Sequence, residues 1–152
     1  MNLIATTIKG IIEGQGLTYL RAANPSDLNE LVGSYDLSAG VGVYANLPTV
    51  DNLTYSLTNN VKMEYSVEIY YLKLSTGTDD TATQIDVILD ALKPKVDGMI
   101  DRLNASGIVA LDSFIDGYEL EAIESINITT ELLSGWKLSF VLPIYRDTFD
   151  CV

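Results

Sequence analysis

The fold of this chain is decided by the stretch VKMEYSVEIYYLKL, residues 61–74. Its odd-numbered side chains are apolar or aromatic as far as Tyr71, and its even-numbered ones are polar or charged as far as Glu68. Alternation with a period of two predicts a β-strand with one buried face and one solvated face. From Tyr70 onward both faces are apolar, so we expect that end of the strand to be covered on both sides.

A long amphipathic helix is predicted for residues 80–104, downstream of this strand. Thr81 and Gln84 fit a capping box at its start, and Pro94 lies inside it. Because proline removes one backbone hydrogen bond and clashes with the preceding turn, we expect a kink there. The predicted buried stripe consists of Ile85, Ile88, Leu89, Leu92, Val96, Met99, Ile100 and Leu103.

Shorter elements are predicted at the beginning of the chain. Residues 2–13 carry apolar side chains at helical spacing and predict an N-terminal helix that Gly14 and Gly16 end. Residues 17–22 are short, apolar and aromatic, which favours an edge strand. A second short helix is expected at residues 25–32, where an asparagine-proline pair and an aspartate mark a helix start.

The C-terminal third predicts β-structure. Strands are expected at 108–115, at 118–130 and at 136–144, with a turn at 131–135 before the last strand. Pro143, near the end of the last strand, indicates a sheet edge or a strand terminus because proline cannot donate to a ladder.

The segment 34–60 is the least regular part of the chain. Leu53, Tyr55 and Leu57 alternate and predict a strand beside a long extended loop. The segment is too apolar for a linker, so it is either a loop folded over the core or a surface for a neighbouring chain. We therefore predict one α+β domain, residues 1–152, with a mostly antiparallel β-sheet packed with one long kinked helix and a short N-terminal helix.

The composition excludes several classes of function. The chain has 152 residues, of which 47% are hydrophobic, so it can bury a core of its own. It contains no histidine and one cysteine, which excludes a Ser-His-Asp triad, most zinc and iron sites and an intrachain disulfide framework. With 9 Lys+Arg against 21 Asp+Glu, its formal net charge is −12, which argues against a broad nucleic-acid-binding face.

Carboxylates are the remaining candidates for catalysis. A catalytic pair needs environments that push two pKa values apart, whereas these acids fit helix starts and solvated strand faces better. A calcium-loop pattern is absent. We therefore predict no catalytic, cofactor or metal site and no enzymatic activity. The carboxylate clusters are Asp79/Asp80, Asp112/Asp116 and Glu119/Glu121/Glu124.

Two glycine pairs and the single cysteine are also predicted to be non-catalytic. Gly14-Gln15-Gly16 and Gly40-Val41-Gly42 lack the third glycine of a dinucleotide loop and predict turns. Cys151 follows Asp150, whose charge disfavours the reactive thiolate.

Neither a membrane span nor a secretory signal is predicted. No run of 18 apolar residues is present, and Lys9 interrupts the apolar N-terminal stretch. We expect an intracellular product without a membrane partner.

The order of these elements resembles that of the tail-terminator and neck (head–tail connector) proteins of tailed bacteriophages. The segments that carry the resemblance are VKMEYSVEIYYLKLS at 61–75, IDVILDALKPKVDGMIDRL at 85–103 and SINITTELLSGWKLSFVLPIY at 125–145. The resemblance rests on element order and spacing over most of the chain.

This resemblance implies a structural virion protein. Its subunits would form a homo-oligomeric ring, a hexamer or, nearer the portal, a dodecamer, that joins the head or portal to the tail. Its partners would be other neck, portal or tail-tube proteins, and DNA would pass through without specific binding. The ring would be assembled in the cytoplasm of a bacterial host and reside in the neck or tail of the virion.

Subunit contacts are expected from the segment 34–60 and the tail 146–152. The candidate interface residues are Tyr44, Leu47, Val50, Leu53, Tyr55, Arg146 and Phe149.

Two other classes of function stay open at this point. The net charge of −12 also suits an acidic protein-interaction module, such as an inhibitor or DNA mimic that occupies a basic site. An enzyme that uses carboxylates alone would need two of them in one pocket with perturbed pKa values.

Overall fold

The fold was obtained as a computed structural model that describes residues 3–24, 27, 39–55, 61–74, 81–110, 115, 117–128 and 131–145. Within these ranges, the side chains at 51, 52, 54, 55, 81–84, 124–128, 131 and 132 are not described. The predicted helix at 25–32 therefore lies outside the described residues, except for Asp27.

The described residues form two helices and six strands in an α+β fold. Helix α1 at the N-terminus and the much longer α2 match the predicted pair of helices. The elements are α1 Leu3–Gly14, β1 Thr18–Arg21, β2 Val41–Tyr44, β3 Thr49–Tyr55, β4 Val61–Leu74, α2 Thr81–Ala105, β5 Tyr118–Ile128 and β6 Glu131–Tyr145.

Strand β4, which the sequence predicted with the same bounds, organises the sheet. The strand order is β1-β2-β4-β6-β5, and β3 pairs with β4 beside β2. The β4–β6 pairing is antiparallel from Lys62–Tyr145 to Leu74–Leu133. Only the β1–β2 pair is parallel among the described strands.

Both helices pack on one face of this sheet and form the main core. Ile4, Ile8 and Ile12 of α1 are 0% exposed, and each buried isoleucine contributes about 1.5–3 kcal/mol relative to an exposed one. The sheet meets them with the side chains that the alternation of β4 predicted. The β4 members of this core are Val61, Met63, Tyr65, Val67, Ile69 and Tyr71, and those of α2 are Ile88, Leu92, Val96, Met99, Ile100 and Leu103.

Helix α2 confirms the predicted long helix, and Pro94 lies inside it. The kink at this proline stays a prediction. The capping box also stays a prediction, because the side chains of Thr81 and Gln84 are not described.

Side-chain hydrogen bonds tie α2 to the rest of the core on both sides of its proline. The indole N–H of Trp136 donates to the carbonyl oxygen of Leu89 at 3.0 Å. The amide of Gln15 donates to the carbonyl oxygen of Lys95 at 2.7 Å, and it accepts a hydrogen bond from the hydroxyl of buried Tyr71 at 3.1 Å. These contacts connect both helices to β4 and β6.

The second face of the sheet is divided between an apolar half and a polar half. The apolar half is buried, as expected where both faces of β4 become apolar at Tyr70 and beyond. It comprises Leu20, Ala22, Val41, Val43, Ala45, Tyr70, Leu72 and Leu133. The polar half carries Lys62, Glu64, Ser66 and Glu68 of β4, all of intermediate exposure.

The prediction for segment 34–60 was wrong in one respect. Strand β3 overlaps the predicted strand around 53–57, but β2 had been assigned to the extended loop. All four residues of β2 are buried, so the strand shows none of the alternation that reveals a half-solvated strand. Gly42 lies in it because the side chain of Ile12 would come within 2.7–2.9 Å of a Cβ at that position.

The strand predicted at 108–115 is described only at residues 108–110 and 115, because 111–114 lie outside the described residues. Ile108, Val109 and Ala110 are buried but are not in a strand. They follow Gly107, whose φ of 84° turns the chain at the end of α2. A short apolar run signals burial, and its periodicity alone does not distinguish a strand from a packed loop.

The turn predicted at 131–135 is wrong, since β6 begins at Glu131. Gly135 suggested a turn, yet it lies within the strand and pairs opposite Leu72. A Cβ there would lie 1.7 Å from the carbonyl oxygen of Tyr71. The glycine is therefore required by the close approach of two strands.

The prediction for Pro143 is confirmed. Strand β5 accompanies β6 only as far as the Tyr118–Phe140 pair, so β6 lacks a β5 neighbour at Pro143. There the carbonyl oxygen of Pro143 accepts a hydrogen bond from the backbone N–H of Ala110 at 3.0 Å. The missing N–H of the proline thus costs the sheet no ladder bond.

The two glycines that lie in very different surroundings predict opposite effects of alanine. Gly135→Ala should destabilise the protein by about 3 kcal/mol or more, because the new methyl group meets backbone inside the β4–β6 ladder. Gly10→Ala in α1, where a Cβ meets nothing within 4 Å, should instead stabilise it by about 0.5–1 kcal/mol. Urea denaturation of both variants checks this. A mild effect of Gly135→Ala would contradict the assigned register.

Candidate functional site

The described part of the chain contains no group of three or more His, Cys, Asp or Glu side chains that could hold a metal ion. Glu119 and Glu121 are exposed side chains two residues apart on β5, in agreement with a solvated strand face. The other carboxylate candidates and Cys151 lie outside the described residues, except Glu124, whose backbone alone is described.

The two glycine pairs are placed as turn and strand. Gly16 has a φ of 81° and ends α1, with its N–H bonded to the carbonyl of Glu13 and that of Leu17 bonded to the carbonyl of Ile12. This pair of bonds is a Schellman motif. Gly40, with a φ of 96°, turns the chain into β2. Neither pair opens a helix that could bind a phosphate.

The surface that remains as a candidate site is a row of aliphatic side chains on and before β3. Leu47, Val50 and Leu53 are 60%, 43% and 56% exposed. Among the described side chains, six large hydrophobic ones are exposed, and half of them fall in this stretch of seven residues. We call Leu47, Val50 and Leu53 the exposed row. Clustering of this kind marks interaction surfaces, whereas isolated exposed apolar residues do not.

The exposed row lies on an open edge of the sheet. Strand β3 pairs on one side with β4, from Thr49–Ser66 to Tyr55–Val61, and no other described strand pairs with it. The opposite edge of β4 is taken by β6, and β1 extends the sheet only beside β2. The outer backbone groups of β3 therefore have no partner strand in the described structure.

One asparagine positions this edge. Tyr44, the last residue of β2, pairs with Ile69 of β4, and Thr49, the first residue of β3, pairs with Ser66. Four residues lie between Tyr44 and Thr49, whereas only two lie between Ser66 and Ile69, so the ladder is interrupted here. The side chain of Asn46 fills the interruption in the ladder: its oxygen accepts from the N–H of Glu68 at 3.0 Å, and its amide donates to the carbonyl of Ser66 at 3.0 Å. Asn46 thus replaces the missing backbone bonds to β4 and holds β3 in line with β2.

The prediction that Tyr44 contacts a neighbouring chain is not supported by the structure. Its side chain is 0% exposed, so it offers no surface to a neighbouring chain. The guanidinium of Arg21 lies over its ring, 3.9 Å from the centroid, and the hydroxyl has no hydrogen-bond partner among the described residues. Burial raises the pKa of Tyr44 to about 12, and the charge of Arg21 partly opposes this rise.

The remaining interface candidates are not tested by the structure. The side chain of Tyr55 is not described, although its backbone belongs to β3. Arg146 and Phe149 lie outside the described residues.

A concave surface that sequence reasoning missed lies on the polar half of the second sheet face. This groove has a volume of about 480 Å³. Glu68 in it lies 3.8 Å from the ammonium of Lys137. The alternation of β4 indicated a polar face, but it gave no sign that β5 starts beside it and makes the face concave. The groove is lined by Ser66, Val67, Glu68, Gly117, Tyr118, Glu119, Ser139, Phe140 and Val141.

No helix in the described residues is both long and apolar enough to cross a membrane. The sequence matches no protein-family model and no curated protein.

Removal of the Asn46 amide should loosen the open edge. Asn46→Ala removes the hydrogen bonds that the side chain makes to the N–H of Glu68 and to the carbonyl of Ser66, so we expect a loss of about 1–3 kcal/mol in the free energy of unfolding. Asn46→Asp keeps the acceptor for Glu68 but cannot donate to Ser66, so it should restore only part of the loss. Chemical denaturation measures the stability, and hydrogen exchange at β3 amides localises it. Unchanged exchange in β3 would contradict the role assigned to Asn46.

The buried phenol of Tyr44 predicts a loss of stability in alkali. The unfolded chain ionises its tyrosines near the ordinary pKa of 10.0, whereas folded Tyr44 holds its proton to about 12. The stabilisation is therefore complete below pH 10 and is lost as the pH rises toward 12. Tyr44→Phe should be at least as stable as wild type at neutral pH, and it should lose less stability between these pH values. Equal slopes of stability against pH would contradict this.

Proposed function

We propose that this chain is a structural subunit of the neck of a tailed bacteriophage, where it forms a ring as a tail terminator or head–tail connector. The observation that carries the proposal is the exposed row on the open edge of β3. An edge strand normally protects itself by charges, proline or a covering element. Pro48 precedes β3, and Asp51 and a register shift lie within it, but three exposed aliphatic side chains also accompany this edge, which has no partner strand in the described structure. We take these side chains as a surface that is buried in an assembly.

A ring requires two different surfaces on each subunit. In a closed ring, one face of a subunit contacts a different face of the next subunit, and the contact repeats around an axis. The edge at β3 supplies one such surface. At the other end of the sheet, β5 supplies a second edge, and its exposed residues include Tyr118, Glu119 and Glu121.

The net charge supports a ring that DNA traverses. A formal charge of −12 gives the subunit a negative potential, and a negative channel wall repels phosphates instead of binding them. The duplex would stay mobile during its passage. This role needs no catalytic or metal-binding group.

The groove favours a second candidate function. Glu68 and Glu119 line this concave surface of about 480 Å³, so a basic side chain of a partner protein would find complementary charge there. An acidic interaction module, such as an inhibitor or DNA mimic, would use the groove in this way. The charge of Glu68 is already offset by Lys137 at 3.8 Å, which makes the groove the weaker of the two supports.

The ring proposal predicts a defined assembly. Native mass spectrometry at rising protein concentration should show one dominant multiple of the 16.6 kDa subunit, a hexamer or a dodecamer. Negative-stain electron microscopy of the same sample should show rings with a central channel. A subunit that stays monomeric up to virion-like concentration, also beside portal or tail-tube proteins, would contradict the proposal.

The response to salt separates the two candidate functions. Subunits with a charge of −12 repel one another, so apolar self-association should become stronger as salt screens the charges. Binding of an acidic module to a basic protein should become weaker under the same conditions. Analytical ultracentrifugation at low and high ionic strength measures the first effect. Self-association that weakens with salt would speak against the apolar edge as its basis.

A further inference from the structure

We propose that the groove on the polar half of the second sheet face binds the arginine side chain of a partner protein. This inference rests on the second candidate function, for which it names the group that is recognised, and it does not depend on the ring. The groove has a volume of about 480 Å³, which lies within the range of ~300–1,000 Å³ that is usual for ligand pockets. A whole side chain can therefore enter it.

A row of three polar side chains across the sheet forms the centre of the groove. Glu68 of β4 lies opposite Ser139 of β6, and Glu119 of β5 lies opposite the same serine on its other side. Side chains that are paired in this way share one face of a sheet. We call Glu68, Ser139 and Glu119 the acidic row. Because neighbouring strands are about 4.8 Å apart, a planar group above Ser139 lies within reach of both carboxylates.

The end of the groove next to the acidic row supplies apolar contact. Val141 lies there and is 43% exposed. Since β5 pairs with β6 only from Tyr118 opposite Phe140 onward, no residue of β5 flanks Val141. Gly117 leaves this end open, because a Cβ at its position would meet nothing within 4 Å. An aliphatic stem can thus lie over Val141 and bring a charged head to the acidic row.

The groove holds more negative charge than its own cation neutralises. The ammonium of Lys137 lies 3.8 Å from Glu68, whereas Glu119 has no ion-pair partner among the described side chains. Glu121, which lies opposite Lys137 on the same face, adds a further carboxylate. Three carboxylates and one ammonium leave a formal charge of −2. This surface therefore complements a cation and repels phosphate.

Lys137 competes for this site without closing it. Its distance of 3.8 Å from Glu68 is longer than the ~2.7–2.9 Å of a tight charged hydrogen bond. The ammonium also lies 6.0 Å from the ring centroid of Tyr70 and has Glu121 as its cross-strand neighbour. It can turn to Glu121 when an incoming cation takes Glu68. Removal of Lys137 should accordingly strengthen binding.

The arrangement favours arginine over lysine. A guanidinium is planar and carries five N–H donors, so it can serve two carboxylates and the hydroxyl of Ser139 at once. An ammonium is a compact group with three donors and fits one carboxylate better than two separated ones. Arginine is also among the residues that contribute most to protein–protein interfaces. The occupant we infer is therefore an arginine on a segment of a partner protein.

An NMR titration with short peptides tests the proposal. The probe is a blocked peptide of glycine and threonine residues around a single arginine, and its lysine and citrulline counterparts are the matched probes. The arginine peptide should shift the backbone amide resonances of Glu68, Glu119 and Ser139. The lysine peptide should bind at least about threefold more weakly. Citrulline keeps the planar shape without the charge, so its peptide should not bind measurably.

Four variants of the protein assign the contact. Glu68→Gln and Glu119→Gln should each weaken binding of the arginine peptide at least about fivefold, and Lys137→Met should strengthen it about twofold or more. Glu13→Gln is the matched control. It removes the same charge at a position on α1 whose side chain is 54% exposed, and it should change the affinity by less than about twofold. The amide spectrum of each variant shows whether its fold is kept.

The outcomes separate this site from the functions proposed for the chain. If the glutamine variants of the acidic row weaken binding no more than Glu13→Gln does, the arginine is held by the general negative charge; the groove is then wrong, and the acidic interaction module stands. Equal binding of the lysine and arginine peptides overturns the assignment to arginine. If no peptide binds but a basic protein still binds in a salt-sensitive manner, the site is overturned and the second candidate function is not.

Discussion

The antiparallel ladder between β4 and β6 is the interaction on which the rest of this structure depends. It runs from Lys62–Tyr145 to Leu74–Leu133 and fixes which side chains of both strands face the helices. Gly135 makes the ladder possible at a point where a Cβ would collide with the backbone of Tyr71. Since β6 occupies one side of β4, the segment 41–55 is confined to the other side. The open edge of β3 is therefore a consequence of this pairing.

The elements that could be predicted from the sequence are those with one solvent-exposed face. Strand β4 and helix α2 show clear periodicity because polar residues recur at regular intervals on the exposed side. Strand β2 is buried on both faces and left no such pattern. At residues 108–110, burial without a strand produced the same apolar run that a strand would have. Gly135 was misread because a glycine that permits close approach looks the same in a sequence as one that permits a turn.

The candidate site shows the same limit at the level of single residues. Tyr44 and Leu53 come from one apolar segment and were indistinguishable as interface candidates. Their difference arises from the sheet, where Tyr44 lies beneath Arg21 and next to the central strand, whereas Leu53 lies on its rim. Asn46 lies between buried β2 and the edge strand β3. The sequence gave no sign of its role, because that role depends on backbone groups of β4 that are distant in sequence. Pairing information is needed before exposure can be assigned.

The sequence distance within the central ladder has a consequence for biosynthesis. The partner of Leu74 is Leu133 and that of Lys62 is Tyr145, so a ribosome must make about sixty further residues before β6 can begin to pair with β4 and more than eighty before Lys62 can pair. Contacts of such long range are slow to form, and in the meantime the apolar face of β4 has only β2, β3 and the helices for cover. The nascent chain is therefore exposed to wrong pairing until the ribosome has made residues 131–145.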